Sequence, residues 1–477
     1  MSEELIAPKK QEKTEEQLTF IEYPIKNSSS VILSATAGSG KTFSAVERLK
    51  YMLSIGVDPS KIIFFSFTVA AVEELKKRVN NDAIKITTIH SFCAQLLGRM
   101  KKMKKISTFY DFIDWFKEYH KPKYGAPRTD TEEFYRDVEK LYDTAEYLSS
   151  EIAAFKLQTA DNIKCKVPDY LKAYQDYQKK TKSIDFSDML IVVRDSLKED
   201  KWLKMFRNQY DFVFVDEYQD TSSIQMSILL SLNAKYYYLM GDKAQAIYGY
   251  SGANCDAIEA MLKRRRQTVE MYLSVNFRSG KTIVENSNKH THLQAIPFHE
   301  KVGKVHRKII LFENLVDIIK NNPYVAVLVR TNAVIRELEK KLLALKIPMR
   351  YDNYLKDSEL EDLIKAKERV STKNKIRELL PHFGSADAII EFIKSNKDKQ
   401  THIKTIHKSK GLEFPICVIV NSIAPDIIKE NNLVIPKEYL SLISYDEADE
   451  NDYESRNIHY VAVSRPIDEV YFMVFED

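Results

Sequence analysis

Ala35-Thr-Ala-Gly-Ser-Gly-Lys-Thr42 decides how this chain is read. Val31-Ile-Leu-Ser34, just before it, is β-branched and apolar and predicts a buried strand. Phe43 to Leu53, just after it, carries apolar residues at helical spacing. A strand, a glycine-bearing turn, Lys-Thr and a helix together make a phosphate cradle. Backbone N–H groups close on an anion, and the helix N-terminus adds its positive dipole end. Lys41 is then placed to neutralise β- and γ-phosphates, and Thr42 to hold Mg²⁺ through its hydroxyl. Ala35 stands where the strict pattern has its first glycine, and a chance Gly-Ser-Gly turn is the competing reading.

Composition bounds the rest. The chain has 477 residues, 44% of them hydrophobic and 29% charged, enough for about three domains with real cores. Its 72 basic and 68 acidic residues leave a net charge of +4. That excludes a polybasic wrapper, so contact with nucleic acid has to come from a local patch. Cys93, Cys165, Cys255 and Cys417 lie far apart and suggest neither a zinc site nor a disulfide framework. No apolar run has the length to cross a bilayer. Met1-Ser-Glu-Glu-Leu carries acids where a signal peptide carries bases. The expectation is a cytoplasmic protein that does not engage a membrane.

Outward from the glycine turn, strands and helices alternate. Thr14-Glu-Glu-Gln17 can cap a short helix, and Gln17 is equally suited to reading the edge of an adenine. Ile62 to Phe67 predicts a strand, Val69 to Val79 a helix, and Ile84 to Ile89 a strand ending at His90-Ser91-Phe92. This rhythm predicts an α/β protein with parallel sheets, whose ligands gather at the carboxyl ends of strands. From 93 to 185 strand signals vanish and the chain turns helical, basic and tyrosine-rich. Lys101-Lys-Met-Lys-Lys105 reads as a solvated face or as a nucleic-acid contact. Tyr170, Tyr174 and Tyr177 fit packing or base stacking.

The sheet resumes at Phe212-Val-Phe-Val215, which delivers Asp216 and Glu217. A carboxylate there can hold Mg²⁺, and its neighbour can take a proton from an attacking water. Tyr236 to Asp242 repeats the design, followed by Gln245, Tyr248 and Tyr250; the two aromatics read as stacking platforms or as core tyrosines. Val269 to Val275 predicts a strand leading to Asn276-Phe-Arg-Ser279, where Arg278 can reach a phosphate. A second α/β region follows, with strands at 325–330, 402–407, 416–420 and 470–475, and helices at 331–345 and 453–464.

In this order the motifs resemble those of superfamily 1 helicases of the UvrD/Rep/PcrA group. Ala35–Thr42 is similar to the group's A-x-x-G-x-G-K-T, which accounts for Ala35. Thr88-Ile-His-Ser-Phe92, Asp185-Phe-Ser-Asp-Met-Leu190, Asp216-Glu-Tyr-Gln-Asp-Thr221, Gly241-Asp242 with Gln245-Ala-Ile-Tyr248, and Asn276-Phe-Arg-Ser279 each resemble a motif of the group. So do Thr405 to Phe414, and Arg456 with Tyr460 to Arg465. The resemblance implies two RecA-like parallel-sheet domains with a helical insertion in the first. The expected boundaries are 1–92 with 186–275, 93–185, and 276–477 with a short insertion at about 351–400.

The resemblance also implies roles. ATP and Mg²⁺ are the expected ligands. Gln17, Ala35, Thr36, Ala37, Gly38, Ser39, Gly40, Lys41, Thr42 and Glu413 would surround the nucleotide, and Thr42 and Asp216 would hold the metal. Glu217 would activate water, Gln245 would sense the γ-phosphate, and Arg278 and Arg465 would act as arginine fingers. Phe67, Thr68, His90, Phe92, Tyr248, Tyr250 and His407 would touch single-stranded DNA. The implied activity is an ATP-dependent 3′–5′ DNA helicase or translocase, monomeric as an isolated motor and acting at strands and duplex junctions. Three departures stand out: Val69-Ala70 replaces the usual Asn-Lys, Ser251 replaces an arginine, and only about fifty residues separate Arg350 from His402. The last predicts a reduced accessory domain. It also motivates a second function: an ATP-gated DNA-binding subunit of a larger nuclease, repair, replication or defence complex that needs a partner to unwind.

Overall fold

The computed structural model describes residues 13–25, 29–121, 128–157, 165, 167–249, 252–352, 370–432 and 453–475. They form two units. One holds the chain up to Ala35, Gly40–Lys243 and Tyr248–Leu273; the other holds Thr36–Ser39, Ala244–Ile247 and the chain from Ser274 onward.

The first unit contains β1 (Ser30–Ala35), β2 (Ile62–Phe65), β3 (Lys85–Thr87), β4 (Lys105–Ile106), β5 (Ser183–Ile184), β6 (Phe212–Asp216), β7 (Tyr236–Gly241) and β8 (Thr268–Leu273). Six of these make one sheet in the order β3-β2-β6-β7-β1-β8, parallel at every junction. Continuous apolar strands such as Ile62-Ile-Phe-Phe65 are what a sheet covered on both faces requires. Period two then sorts the side chains. Phe64, Phe214 and Tyr238 are register partners on adjacent strands and stack in a ladder at 5.6 and 4.4 Å. Buried Arg48 closes the ladder, donating to the Tyr238 hydroxyl and the Ile21 carbonyl. Ile63, Phe65, Val213 and Val215 face the other way, into a core shared with the helices Ile89–Arg99 and Phe186–Ser196.

Helices Phe109–Tyr119, Arg128–Leu157 and Pro168–Thr181 form the insertion around their own core, which includes Phe112, Ile113, Leu148 and Ile152. Tyr174 and Tyr177 belong to that core, so their spacing reports packing; Tyr170 is exposed. The expectation of no strands here is corrected. β4 and β5 pair in parallel, but two residues each are too few to show a period.

The second unit contains β9 (Val275–Asn276), β10 (Ile296–Pro297), β11 (Lys304–Ile310), β12 (Val325–Val329), β13 (His402–Thr405), β14 (Phe414–Val420) and β15 (Pro466–Met473). Its main sheet runs β11-β15-β14-β12-β13, again all parallel. Leu338, Leu342 and Leu343 on the helix Asn332–Ala344 pack beside Val327, Val329 and Val418. The two α/β units and the helical insertion are the architecture expected. Among the described residues, no helix is long and apolar enough to cross a membrane.

Several boundaries move, each for a local reason. The strand expected over 84–89 stops at Thr87, because the Thr88 hydroxyl accepts from Ser91 N–H and starts a helix. His90 and Phe92 are therefore in a helical first turn. The strand expected over 402–407 stops at Thr405, which caps Ile406–Ser409 and places His407 on that short helix. The strand expected through Val275 breaks at Ser274. Residues 353–369, about a third of the expected short insertion, lie outside the described residues; the rest is largely the helices Val370–Phe383 and Ala386–Ser395.

Candidate nucleotide and nucleic-acid sites

In the first unit, β1 feeds the turn whose last glycine, Gly40, is the left-handed N-cap (φ +78°) of the helix Lys41–Ser54. No side chain caps this helix and no acid occupies its first turn. Its leading amides are therefore not engaged by a side-chain cap and suit an anion. β6 delivers the carboxylates. Lys41 Nζ is 3.1 Å from Asp216 Oδ1 and 2.5 Å from Glu217 Oε1. Burial alone would push the Lys41 amine down; the two carboxylates outweigh it and hold its pKa above the ordinary lysine value. Burial pushes the Asp216 carboxyl up, against the pull of Lys41.

Glu217 is held in an unusual way. Its φ of +52° is in the left-handed region, where a residue with a side chain is disfavoured by about 1–2 kcal/mol. Its amide donates to Asp216 Oδ1 at 3.0 Å, and Gln219 Nε2 donates to its Oε2. Gln219 is fully buried, and its Oε1 accepts from Asp242 N–H at 3.2 Å. One amide side chain thus ties the ends of β6 and β7 to the carboxylate. The sequence reading missed this role, although Gln219 lies inside the quoted Asp216–Thr221 motif.

Gly241 is what lets Gln219 in. A Cβ there would lie 2.1 Å from Gln219 Oε1 and 2.7 Å from the Tyr218 ring. Gly241→Ala should therefore destabilise the chain by about 1–3 kcal/mol. A lowered urea midpoint checks this, and an unchanged midpoint would contradict so close an approach.

In the second unit, Thr36–Ser39 meets Asn276-Phe-Arg278. Asn276 Nδ2 donates to the Ala37 carbonyl at 2.7 Å, and Phe277 N–H donates to the Gly38 carbonyl at 2.9 Å. Gly38 adopts φ +74°, and a Cβ on it would come within 2.8 Å of Arg278 Cβ. Arg278 Nε donates to Glu413 Oε2 at 2.8 Å and Nη1 to the Ser464 carbonyl at 3.3 Å. Arg465 is buried; its Nη2 donates to Gln245 Oε1 at 3.0 Å, and its Nε to the Val461 carbonyl at 2.9 Å. Lys410 Nζ donates to the Gln245 carbonyl at 2.7 Å. The expected finger Arg465 and the expected sensor Gln245 are thus in direct contact.

The expected strand contacts divide. Phe67 is 45% exposed, and its ring packs at 5.2 Å against Tyr248. Thr68 is an exposed helix cap. His90 meets the exposed Phe186 edge-on at 5.5 Å, and burial lowers its pKa. His407 shares a hydrogen bond with the Ile247 carbonyl at 3.2 Å, and burial lowers its pKa too. Both rings are neutral near pH 7, so they suit hydrogen bonding or stacking rather than charge pairing. Phe92 is corrected to a core residue: it is 4% exposed, and Phe65 meets it edge-on at 5.4 Å. Gln17 is buried in a complete capping box with Thr14. Tyr250 and Ser251 lie outside the described residues.

A glycine-bearing turn opening a helix, a lysine clasped by strand-end carboxylates and a second parallel-sheet unit carrying the buried Arg465 and half-buried Arg278 are the features of a class of nucleotide-dependent motor domains. The UvrD/REP helicase N-terminal domain family matches residues 14–266, and the UvrD-like helicase C-terminal domain matches 357–477. The chain belongs to the UvrD/REP helicase family. It is 28% identical over 350 residues to a protein named Probable DNA helicase II homolog from Mycoplasma capricolum, covering 66% of this chain and 48% of that protein. It is 25% identical over 364 residues to the ATP-dependent DNA helicase PcrA of Staphylococcus aureus, covering 67% of this chain and 48% of that protein. The PcrA of Staphylococcus epidermidis is 26% identical over 286 residues, covering 54% of this chain and 37% of that protein. The chain spans about half the length of the first two of these curated relatives.

Proposed function

We propose that the chain is an ATP-dependent DNA helicase or single-stranded DNA translocase, moving 3′ to 5′ and hydrolysing ATP where its two RecA-like domains meet. The observation that carries this reading is the Lys41–Asp216–Glu217 cluster at the mouth of an anion-ready helix. Lys41 exchanges its carboxylate partners for the β- and γ-phosphates. Glu217, released and still positioned by Gln219, accepts a proton from the attacking water. Gln245 links the γ-phosphate to Arg465, and Arg278 adds a second guanidinium.

Thr42 and Asp216 would hold Mg²⁺, which when bound offsets charge on the phosphate oxygens. Among the described residues no group of three or more His, Cys, Asp or Glu gathers. That suits an ion drawing most of its ligands from phosphates and water. Phe67 and Tyr248 offer an aromatic pair for bases, with His90 and His407 as neutral contacts. Nucleotide binding then biases a two-state hinge, and hydrolysis resets it.

Residues 93–185 act as the helical insertion and 276–477 as the second domain, in a cytoplasmic setting consistent with four free cysteines. The test is strand displacement by the purified protein on a tailed duplex. ATP-dependent unwinding is the expected result. Strand-stimulated ATP hydrolysis with no unwinding would favour the partner-dependent subunit. Neither activity would overturn both.

A further inference from the structure

We propose that Lys101-Lys-Met-Lys-Lys105 is a track for the phosphodiester backbone of a nucleic-acid strand, an inference that rests on the DNA-binding reading above. The helix Ile89–Arg99 closes with Lys101 at φ +55°, its N–H on the Gly98 carbonyl at 3.1 Å and the Lys102 N–H on the Leu97 carbonyl at 2.9 Å. This paired closure sets the direction in which the chain leaves the helix. Lys102 is then spent on anchoring: its Nζ donates to Ser196 Oγ and Glu199 Oε1, both at 2.9 Å, and lies over the Trp202 ring. The far end is anchored as well, because Lys105–Ile106 pairs with Ser183–Ile184.

These two anchors sit at opposite ends of the helix Phe186–Ser196. Residues 102–106 therefore pass alongside it and end in the strand Lys105–Ile106. Lys101, Met103, Lys104 and Lys105 are exposed along that run. Among the described residues, Lys101, Lys104 and Lys105 form no salt bridge. Of the acids nearby, Glu199 pairs with Lys102, while Asp111, hydrogen-bonded in the Thr108 capping box, also feels the charge of Lys105, which leaves Lys101 and Lys104 the less compensated pair. Each ammonium sits on a flexible four-carbon stem, so these exposed lysines can meet successive phosphates of one strand.

Two observations favour a nucleic-acid strand over an acidic peptide. The Ile106 end of the run reaches the start of the helix that carries Phe186, whose exposed ring meets His90 of the expected strand-contact set. Met103, 46% exposed among the lysines, adds a soft apolar contact suited to bases.

The test compares the wild-type chain with a triple variant, Lys101→Gly with Lys104→Gln and Lys105→Gln, for binding to labelled single-stranded DNA from about 50 to 400 mM salt. Lys101→Gly places glycine in a conformation glycine favours, and Lys102 is left in place. The expected result is a log–log salt slope shallower by about 2, with affinity near 0.1 M salt about a hundredfold weaker, at about 0.7 per lost contact. The thermal midpoint should be unchanged, and the three arginine replacements should keep the wild-type slope. Equal slopes for wild type and triple variant would overturn the track while leaving the DNA reading intact. Loss of polyglutamate binding with an unchanged strand slope would also overturn it, in favour of an acidic protein partner. A wild-type chain that binds no strand at any salt would remove both the track and the reading beneath it.

Discussion

Glu217→Gln should lower single-strand-stimulated ATP turnover by about 10²–10⁴-fold, the range a positioned general base supplies. The substitution keeps the shape of the side chain and an oxygen for Lys41, but a carboxamide cannot take the proton from the attacking water. Nucleotide binding should survive and become equal or tighter. In the wild-type chain Lys41 is shared between Asp216 and Glu217; removing one charge leaves the ammonium more available to phosphate. Turnover and the dissociation constant of a fluorescent ATP analogue, measured on the same preparation, separate the two effects. Turnover within about threefold of wild type would leave Glu217 with less than about 1 kcal/mol of the barrier and rule it out as the base.

Arg465→Ala should bind ATP and hydrolyse it about 10³–10⁵-fold more slowly, as when an arginine finger is removed in other phosphoryl transfers. Arg465 is buried, and besides Gln245 it donates to the Val461 and Leu412 carbonyls. Truncation therefore also strands acceptors, and each one left unsatisfied costs about 1–3 kcal/mol. Arg465→Lys separates the roles. It keeps a charge but loses the planar fork that serves Gln245 and the two carbonyls together. A folded Arg465→Lys protein with near-zero turnover is the expected result. Wild-type turnover in both variants would remove the finger assignment and leave Arg465 as a core brace.

The glycine turn, its strand and its helix were readable because each of the three obeys a local rule: a β-branched run, a glycine-bearing turn and a helical period. So was the Asp216–Glu217 pair, since a strand ending in carboxylates has a local signature. Other features depend on contacts between residues distant in sequence. No pattern announces that Gln219 reaches from Glu217 to Asp242, or that Gly241 must lack a side chain to admit it. Phe92 lies in a motif expected to contact the strand, yet its neighbours Cys93, Leu96 and Leu97 carry the apolar face on which it is buried. The left-handed backbone of Glu217 is likewise invisible, because glutamate has no preference for it. Tyr174 and Tyr177 show the converse: helical spacing favoured packing, and packing is what they do.

ATP hydrolysis by the wild-type chain, measured with and without single-stranded DNA, tests the central claim most directly. Hydrolysis that rises severalfold or more on adding the strand, and loses that rise in Glu217→Gln, is the result this account predicts. A rate that is the same with and without the strand would contradict a motor whose nucleotide chemistry is coupled to DNA.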